Sequence, residues 1–201
     1  VCKGECIDPE LIRSVEAQTV LWYAEQVGSK KEVDEAAQRR RKELAYNINA
    51  FDLIFLHDAK GIPVAHELGA RRVGFLPTAA VCPDINRRLN IDKKYEVGFV
   101  GNITGRRKQI LTELQKTHSV TVKKIYNPEE LNRFFNECSI VLNIHLSDLL
   151  NTETRLCEVM GAVSFLLSEE ISTPQVFRDK EHLVYWKQND IEDLRKKIDY
   201  Y

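Results

Sequence analysis

Short apolar runs and helical stretches take turns along this chain, and that alternation restricts its fold more than any other feature. Val20-Leu21-Trp22-Tyr23 and Leu53-Ile54-Phe55-Leu56 have no polar break, the pattern of short strands buried on both faces. Between them, Lys30 to Ala50 reads as one long charged helix. Ile62 to Leu68 is a short helix, with Pro63 tolerated in its first turn and Gly69 suited to the position after its end. Arg72 to Leu76 is a third strand, stopped by Pro77. A second series starts with the strand Tyr95 to Val100, which ends in Gly101. The helix Arg106 to Thr117 and the strand Val120-Thr121-Val122 come next. In the helix Pro128 to Cys138, the residues Leu131, Phe134, Phe135 and Cys138 recur at i, i+3, i+4 and i+7. Then follow a strand Ser139 to His145, a helix Thr152 to Met160, and strands Val163 to Leu167 and Leu183 to Trp186. A helix Asp190 to Tyr200 closes the chain. Strands separated by helices of about a dozen residues imply parallel pairing through right-handed crossovers. The fold class read from this is α/β, with two open sheets.

Between the two series the texture changes to prolines, small residues and a basic turn without periodicity, which reads as a connector. The expected division is a first domain at 1–80, a linker at 81–94 and a second domain at 95–201. The first has few strands and opens on Val1 rather than Met, so a start inside a longer protein is expected. With 43% hydrophobic and 29% charged residues the chain has the makings of a packed core. Its net charge of −1 gives no global field for a polyanion or an anionic membrane. The basic run Arg39-Arg40-Arg41-Lys42 follows Glu32, Asp34 and Glu35 and reads as a solvated helix face, so no nucleic-acid partner is expected. Cysteines at 2, 6, 82, 138 and 157 match no zinc spacing. Reduced thiols and a cytoplasmic setting are the default expectation. No apolar run reaches the roughly 18 residues of a transmembrane segment, and no leader pattern precedes Cys2.

Open α/β sheets bind ligands beyond the carboxyl ends of their strands, and three such places in the second half hold candidate chemistry. After Phe99-Val100, the loop Gly101-Asn102-Ile103-Thr104-Gly105 leads into Arg106-Arg107. Glycines let backbone approach a ligand, and an arginine at a helix start suits a phosphate. The spacing is not the dinucleotide fingerprint, and a plain strand-to-helix turn explains the glycines equally well. The second place is Asn151 to Glu158. Thr152 is a good N-cap, and the amides of Thr154 and Arg155 would then point at a diphosphate. Arg155 and Glu158 share a helix face, either as a surface pair or as ligands of phosphate and ribose. The third is Ile125-Tyr126-Asn127, where Tyr126 is a candidate for packing on a nucleobase. His145, at the end of a buried strand, is a candidate catalytic residue, or a satisfied structural one.

The string from Tyr95 to Gly105 resembles the start of the C-terminal domain of the CgeB-like (spore protein) glycosyltransferases, a branch of the GT-B fold. Asn143-Ile144-His145 followed by Asn151 to Gly161 is similar to that family's block of Arg, Glu three later and a small-residue turn. Phe177 to Glu181, Val184-Tyr185-Trp186 and the Asp190 helix resemble its ending. Trp22-Tyr23-Ala24-Glu25, Phe51-Asp52, Gly69 to Val73 and Leu76-Pro77 fit its front. The resemblance implies two Rossmann-like domains of the GT-B type, the N-terminal one incomplete. It implies transfer from a nucleotide-diphosphate sugar, such as a UDP-sugar, to a glycan or other hydroxyl acceptor. By the match Glu158 binds ribose, and Arg106, Arg107 and Arg155 are diphosphate candidates. The nucleotide sugar is a substrate; no cofactor and no metal are implied, in keeping with the lack of an Asp-x-Asp motif. One departure stands out: many GT-B enzymes carry two glutamates eight apart, whereas Glu153 and Glu158 are five apart. A non-catalytic nucleotide- or glycan-binding module of the same fold is the alternative reading.

Overall fold

The computed structural model describes residues 7–28, 35–77, 81–146, 150, 153–172 and 177–201. They fall into two compact units, Val1–Thr78 and Ala79–Tyr201.

In the first unit, α1 (Pro9–Arg13) precedes three parallel strands in the order β1 (Val20–Tyr23), β2 (Leu53–Leu56), β3 (Val73–Phe75). The crossovers are α2 (Glu35–Asn47), extended by a 3-10 turn at Ile48–Ala50, and α3 (Gly61–Glu67). The expected long helix reached back to Lys30, but residues 30–34 lie outside the described ones. Leu21, Tyr23, Ile54 and Leu56 point to one face and pack on Leu44, Ile48, Val64 and Ala65 of the crossovers. Side chains alternate across a strand, so Val20 and Trp22 point the other way and are half exposed.

The second unit carries a five-stranded parallel sheet in the order β5 (Val120–Lys123), β4 (Tyr95–Val100), β6 (Cys138–Asn143), β7 (Leu166–Glu169), β8 (Val184–Trp186). Its helices are α4 (Gly105–Leu114), α5 (Pro128–Glu137), α6 (Thr154–Gly161) and α7 (Ile191–Tyr200). The same alternation distributes them. Val97, Phe99, Ile140, Leu142 and Ile144 pack on Ile110, Leu111 and Leu114 of α4 and on Leu194 and Ile198 of α7. Val100, Cys138, Val141 and Leu166 pack on Leu131, Phe134 and Phe135 of α5 and on Leu156 and Val159 of α6. Each such fully buried side chain contributes about 1.5–3 kcal/mol of transfer free energy. Gly98 is required by the second face: a Cβ there would fall within the Cys138 sulfur and touch the Phe134 ring.

Two departures from the sequence reading have local causes. The strand expected at Val163–Leu167 is β7 at Leu166–Glu169, because Val163 takes a left-handed conformation (φ 53) just after α6 and is exposed. The residues read as a linker, 81–94, are hydrogen-bonded along α5. Asn132 Oδ1 accepts from the Arg87 N–H (3.2 Å) and Asn136 Oδ1 from the Leu89 N–H (2.8 Å), while both side-chain amides donate to the Arg87 carbonyl (3.0 and 3.1 Å). Lys94 pairs with Glu137 at 2.6 Å.

Candidate functional site

The order of the second sheet creates a crevice. β4 and β6 are neighbours, yet α4, which follows β4, lies on one face and α6, which follows β6, on the other. The chain therefore parts at the carboxyl ends of these strands, the place where open α/β sheets hold ligands. A cleft of about 270 Å³ opens there, close to the lower end of ordinary ligand pockets. Gly101, Asn102 and Arg107 line it from β4 and α4, Lys124, Ile125 and Tyr126 from the end of β5, and Asn143, Glu153, Thr154 and Arg155 from β6 and α6.

Gly101 makes room for the cleft's floor. A Cβ at this position would meet Arg107 Nη1 and the Phe99 ring, each at 3.3 Å. Arg107 is buried beneath the loop. Its Nε and Nη2 donate to the Ile144 carbonyl (2.9 and 2.7 Å) and its Nη1 to the Asn102 carbonyl (3.3 Å). Burial holds its acidity constant below the usual guanidinium range; Glu153 opposes that shift, and Arg106 and Arg155 add to it. A cation tied to the strand ends in this way keeps one position, which suits binding of a fixed anion.

α6 starts at Thr154, not at Thr152, which lies outside the described residues. Glu153 occupies its N-cap position and makes no side-chain cap bond, and the same is true of Thr104 at α4. By contrast α1, α5 and α7 are capped by Asp8, Asn127 and Asp190. Thr154 is exposed at the cleft wall. Arg155 stacks its guanidinium over Phe135 at 5.3 Å and pairs with Glu158 at 2.8 Å. The spacing argument thus holds for that pair, and Glu158 meets the cleft's lining through Arg155. Tyr126 is 80% exposed at the mouth with Lys124 Nζ 5.5 Å from its ring centre.

Besides Glu158, two candidates from the sequence lie apart from this lining. Arg106 is committed inward: it forms a bidentate pair with the fully buried Glu169 and donates to the His145 carbonyl (3.1 Å) and to Asn189 Oδ1 (2.7 Å). These acceptors are protein groups, which makes this arginine an anchor for α4. His145 is fully buried, with Nε2 2.7 Å from the Glu170 carbonyl and Nδ1 3.3 Å from Glu153 Oε1. Both ring nitrogens face protein acceptors, so the ring presents no free nitrogen to a substrate. The sequence reading passed over Lys124, Asn143 and Glu169. Lys124 stands one residue before the strand end already singled out, and Glu169 closes an apolar strand with a carboxylate, a pattern that calls for a buried cation.

Comparison with known proteins fits this architecture. The chain aligns in three dimensions with sucrose-phosphate synthase from Thermosynechococcus elongatus (TM-score 0.67, 11% identity), covering 95% of this chain and 60% of that one. It also aligns with TarM (TM-score 0.63, 11% identity), covering 92% of this chain and 43% of the other. At that identity the likeness shows the fold: two-sheet α/β glycosyltransferase architecture of the GT-B type. A stretch of 76 residues is 38% identical to an uncharacterized protein of Acanthamoeba polyphaga mimivirus, spanning 37% of this chain and 26% of that protein. A family model described as glycosyl transferase-like matches residues 87–201, more than half of the chain and all of the cleft. The chain belongs to this glycosyl transferase-like family.

Proposed function

We propose that this chain binds a nucleotide-diphosphate sugar in the cleft of its second unit and passes the sugar to a glycan or other hydroxyl acceptor. The observation that carries the reading is the convergence of three cations on one crevice. Arg107, Lys124 and Arg155 come from α4, β5 and α6 and meet at the switch between β4 and β6. In this reading the diphosphate lies against Arg155, Arg107 and the amino end of α6 at Thr154. Gly101 and Asn102 offer backbone to it, Tyr126 stacks on the base, and Glu158 takes the ribose hydroxyls. Attack by the acceptor oxygen on the anomeric carbon breaks the bond to the diphosphate, and negative charge grows on the leaving oxygen. Fixed cations and a helix start aimed at that charge lower the barrier, so the reaction is assigned to protein groups rather than to a divalent metal. The resemblance of Tyr95 to Gly105 and of Asn151 to Gly161 to the CgeB-like branch supports placing the chain there.

Calorimetry with UDP, GDP and ADP tests the reading. At least one is expected to bind, with affinity lost in Arg155→Ala and weakened about 5- to 150-fold in Tyr126→Ala, the range for one stacked base. A donor-hydrolysis assay then follows sugar release, which should vanish in Glu158→Ala. No binding by any of the three nucleotides refutes the proposal; binding without release identifies a binding module.

A further inference from the structure

His145 lies between two acceptors. The Glu170 carbonyl at 2.7 Å accepts only, so Nε2 must carry a proton. The Glu153 carboxylate at 3.3 Å also accepts, so a bare Nδ1 would set a lone pair against an anion. We infer that His145 carries both protons and is a positioning residue for the cleft: as an imidazolium it holds and neutralises Glu153, the one carboxylate among the described residues of the cleft's lining, so that a diphosphate can enter. This rests on the donor reading above.

The surrounding charges support it. Among the described residues, four ionised groups surround the ring. From α4 come Arg106, bonded to the His145 carbonyl, and Arg107, 3.8 Å from Glu153. At the start of α6 stands Glu153, and at the end of β7 Glu169 accepts the His145 backbone N–H at 2.9 Å. Two guanidiniums and two carboxylates cancel. With a neutral His145 the group has no net charge to offer an anion, and Glu153 faces the incoming diphosphate. A second ring proton leaves a net positive charge, and it is placed behind Glu153, on the side away from solvent. The ring itself is fully enclosed and never touches substrate. It acts through Glu153.

The test has two arms. In the first, ¹H–¹⁵N correlation spectra of the histidine rings record whether both His145 nitrogens carry protons near neutral pH. Two protonated nitrogens in the parent chain, with one proton lost in Glu153→Gln, are expected. A singly protonated His145 in the parent overturns the inference. In the second, affinity for the nucleoside diphosphate that binds best is followed from about pH 6 to about pH 9, across the range where histidines titrate. The parent is expected to lose about tenfold in affinity as pH rises and the second ring proton is withdrawn from behind the bound anion. Glu153→Gln is expected to bind at least as tightly as the parent with a flat profile. His145→Gln should bind about tenfold more weakly, and His145→Gln/Glu153→Gln should regain parent affinity; the single Glu153 variant decides the matter if His145→Gln does not fold. An unchanged slope in Glu153→Gln, or weaker binding by it, overturns the inference. Failure of every nucleotide to bind a parent chain whose His145 is doubly protonated refutes the donor reading instead, and leaves the ion pair standing.

Discussion

Glu169→Leu is the substitution that most directly tests the interior of the site. Glu169 is fully buried and accepts three donors: both terminal nitrogens of Arg106, with Nη1 at 3.1 Å, and the His145 N–H at 2.9 Å. Leucine fills a similar volume and removes every acceptor. Breaking a buried ion pair from one side destabilises by about 3–5 kcal/mol. The orphaned His145 N–H adds about 1–3 kcal/mol. Arg106 still has the His145 carbonyl and Asn189 Oδ1, which places the total near the lower end, about 4 kcal/mol. Arg106→Met should lose about 3 kcal/mol, since Glu169 keeps the His145 N–H. The double variant Arg106→Met/Glu169→Leu should be no less stable than Glu169→Leu alone, a coupling of at least about 3 kcal/mol. Urea unfolding followed by Trp186 fluorescence reads this out, because Trp186 is fully buried in the second unit. The second tryptophan, Trp22, belongs to the first unit and is changed to Phe in all samples. Additive single effects, or a Glu169→Leu loss under about 1 kcal/mol, would refute the assignment of Arg106 as an anchor.

Three further outcomes follow from packing, burial and titration. Gly98→Ala should destabilise the second unit by about 1–3 kcal/mol through overpacking against Cys138 and Phe134; Cys138→Ala in the same chain should recover part of the loss, and no recovery would show that the sulfur is not the obstacle. Burial already pushes the Cys138 thiol up to about 12, so the parent should resist thiol-modifying reagents at this position until it unfolds. In the first unit the Thr19 backbone N–H and then its hydroxyl, with Arg71 and Arg72 beyond, hold Asp52 below the usual carboxylate value of 3.8. A depressed folded-state value means stabilisation present above the unfolded value and lost as pH falls through the folded one. Acid unfolding of the first unit should therefore show a step below about pH 4 that Asp52→Asn removes; an identical acid limb in that variant would disprove it.

The architecture was legible because its signals are local and repeated. Leu131, Phe134, Phe135 and Cys138 announce a helix face, and the structure buries all four. The strand-end rule led to Gly101, Tyr126, Thr154 and Arg155, which share one cleft. What could not be read was how long side chains spend their hydrogen bonds. Arg106 and Arg107 are adjacent in sequence and were read alike. A helix turns about 100° per residue, so one meets buried Glu169 and the other lies under the cleft. His145 and Glu153 are eight apart, one past a strand end and the other at a helix start, and no periodicity connects the two. Asn132 and Asn136 escaped because an amide on a helix reads as surface, while here each is buried beneath a strap of chain.

Those two amides have a practical consequence for anyone recombining the two units of chains with this fold. The strap at 81–94 is stapled to α5, so it travels with the second unit even though its composition says linker. A chimera joined at Tyr95 would graft α5 without the backbone that its asparagines grip, stripping both amides of those partners. The seam that respects the folded unit lies upstream of Val81.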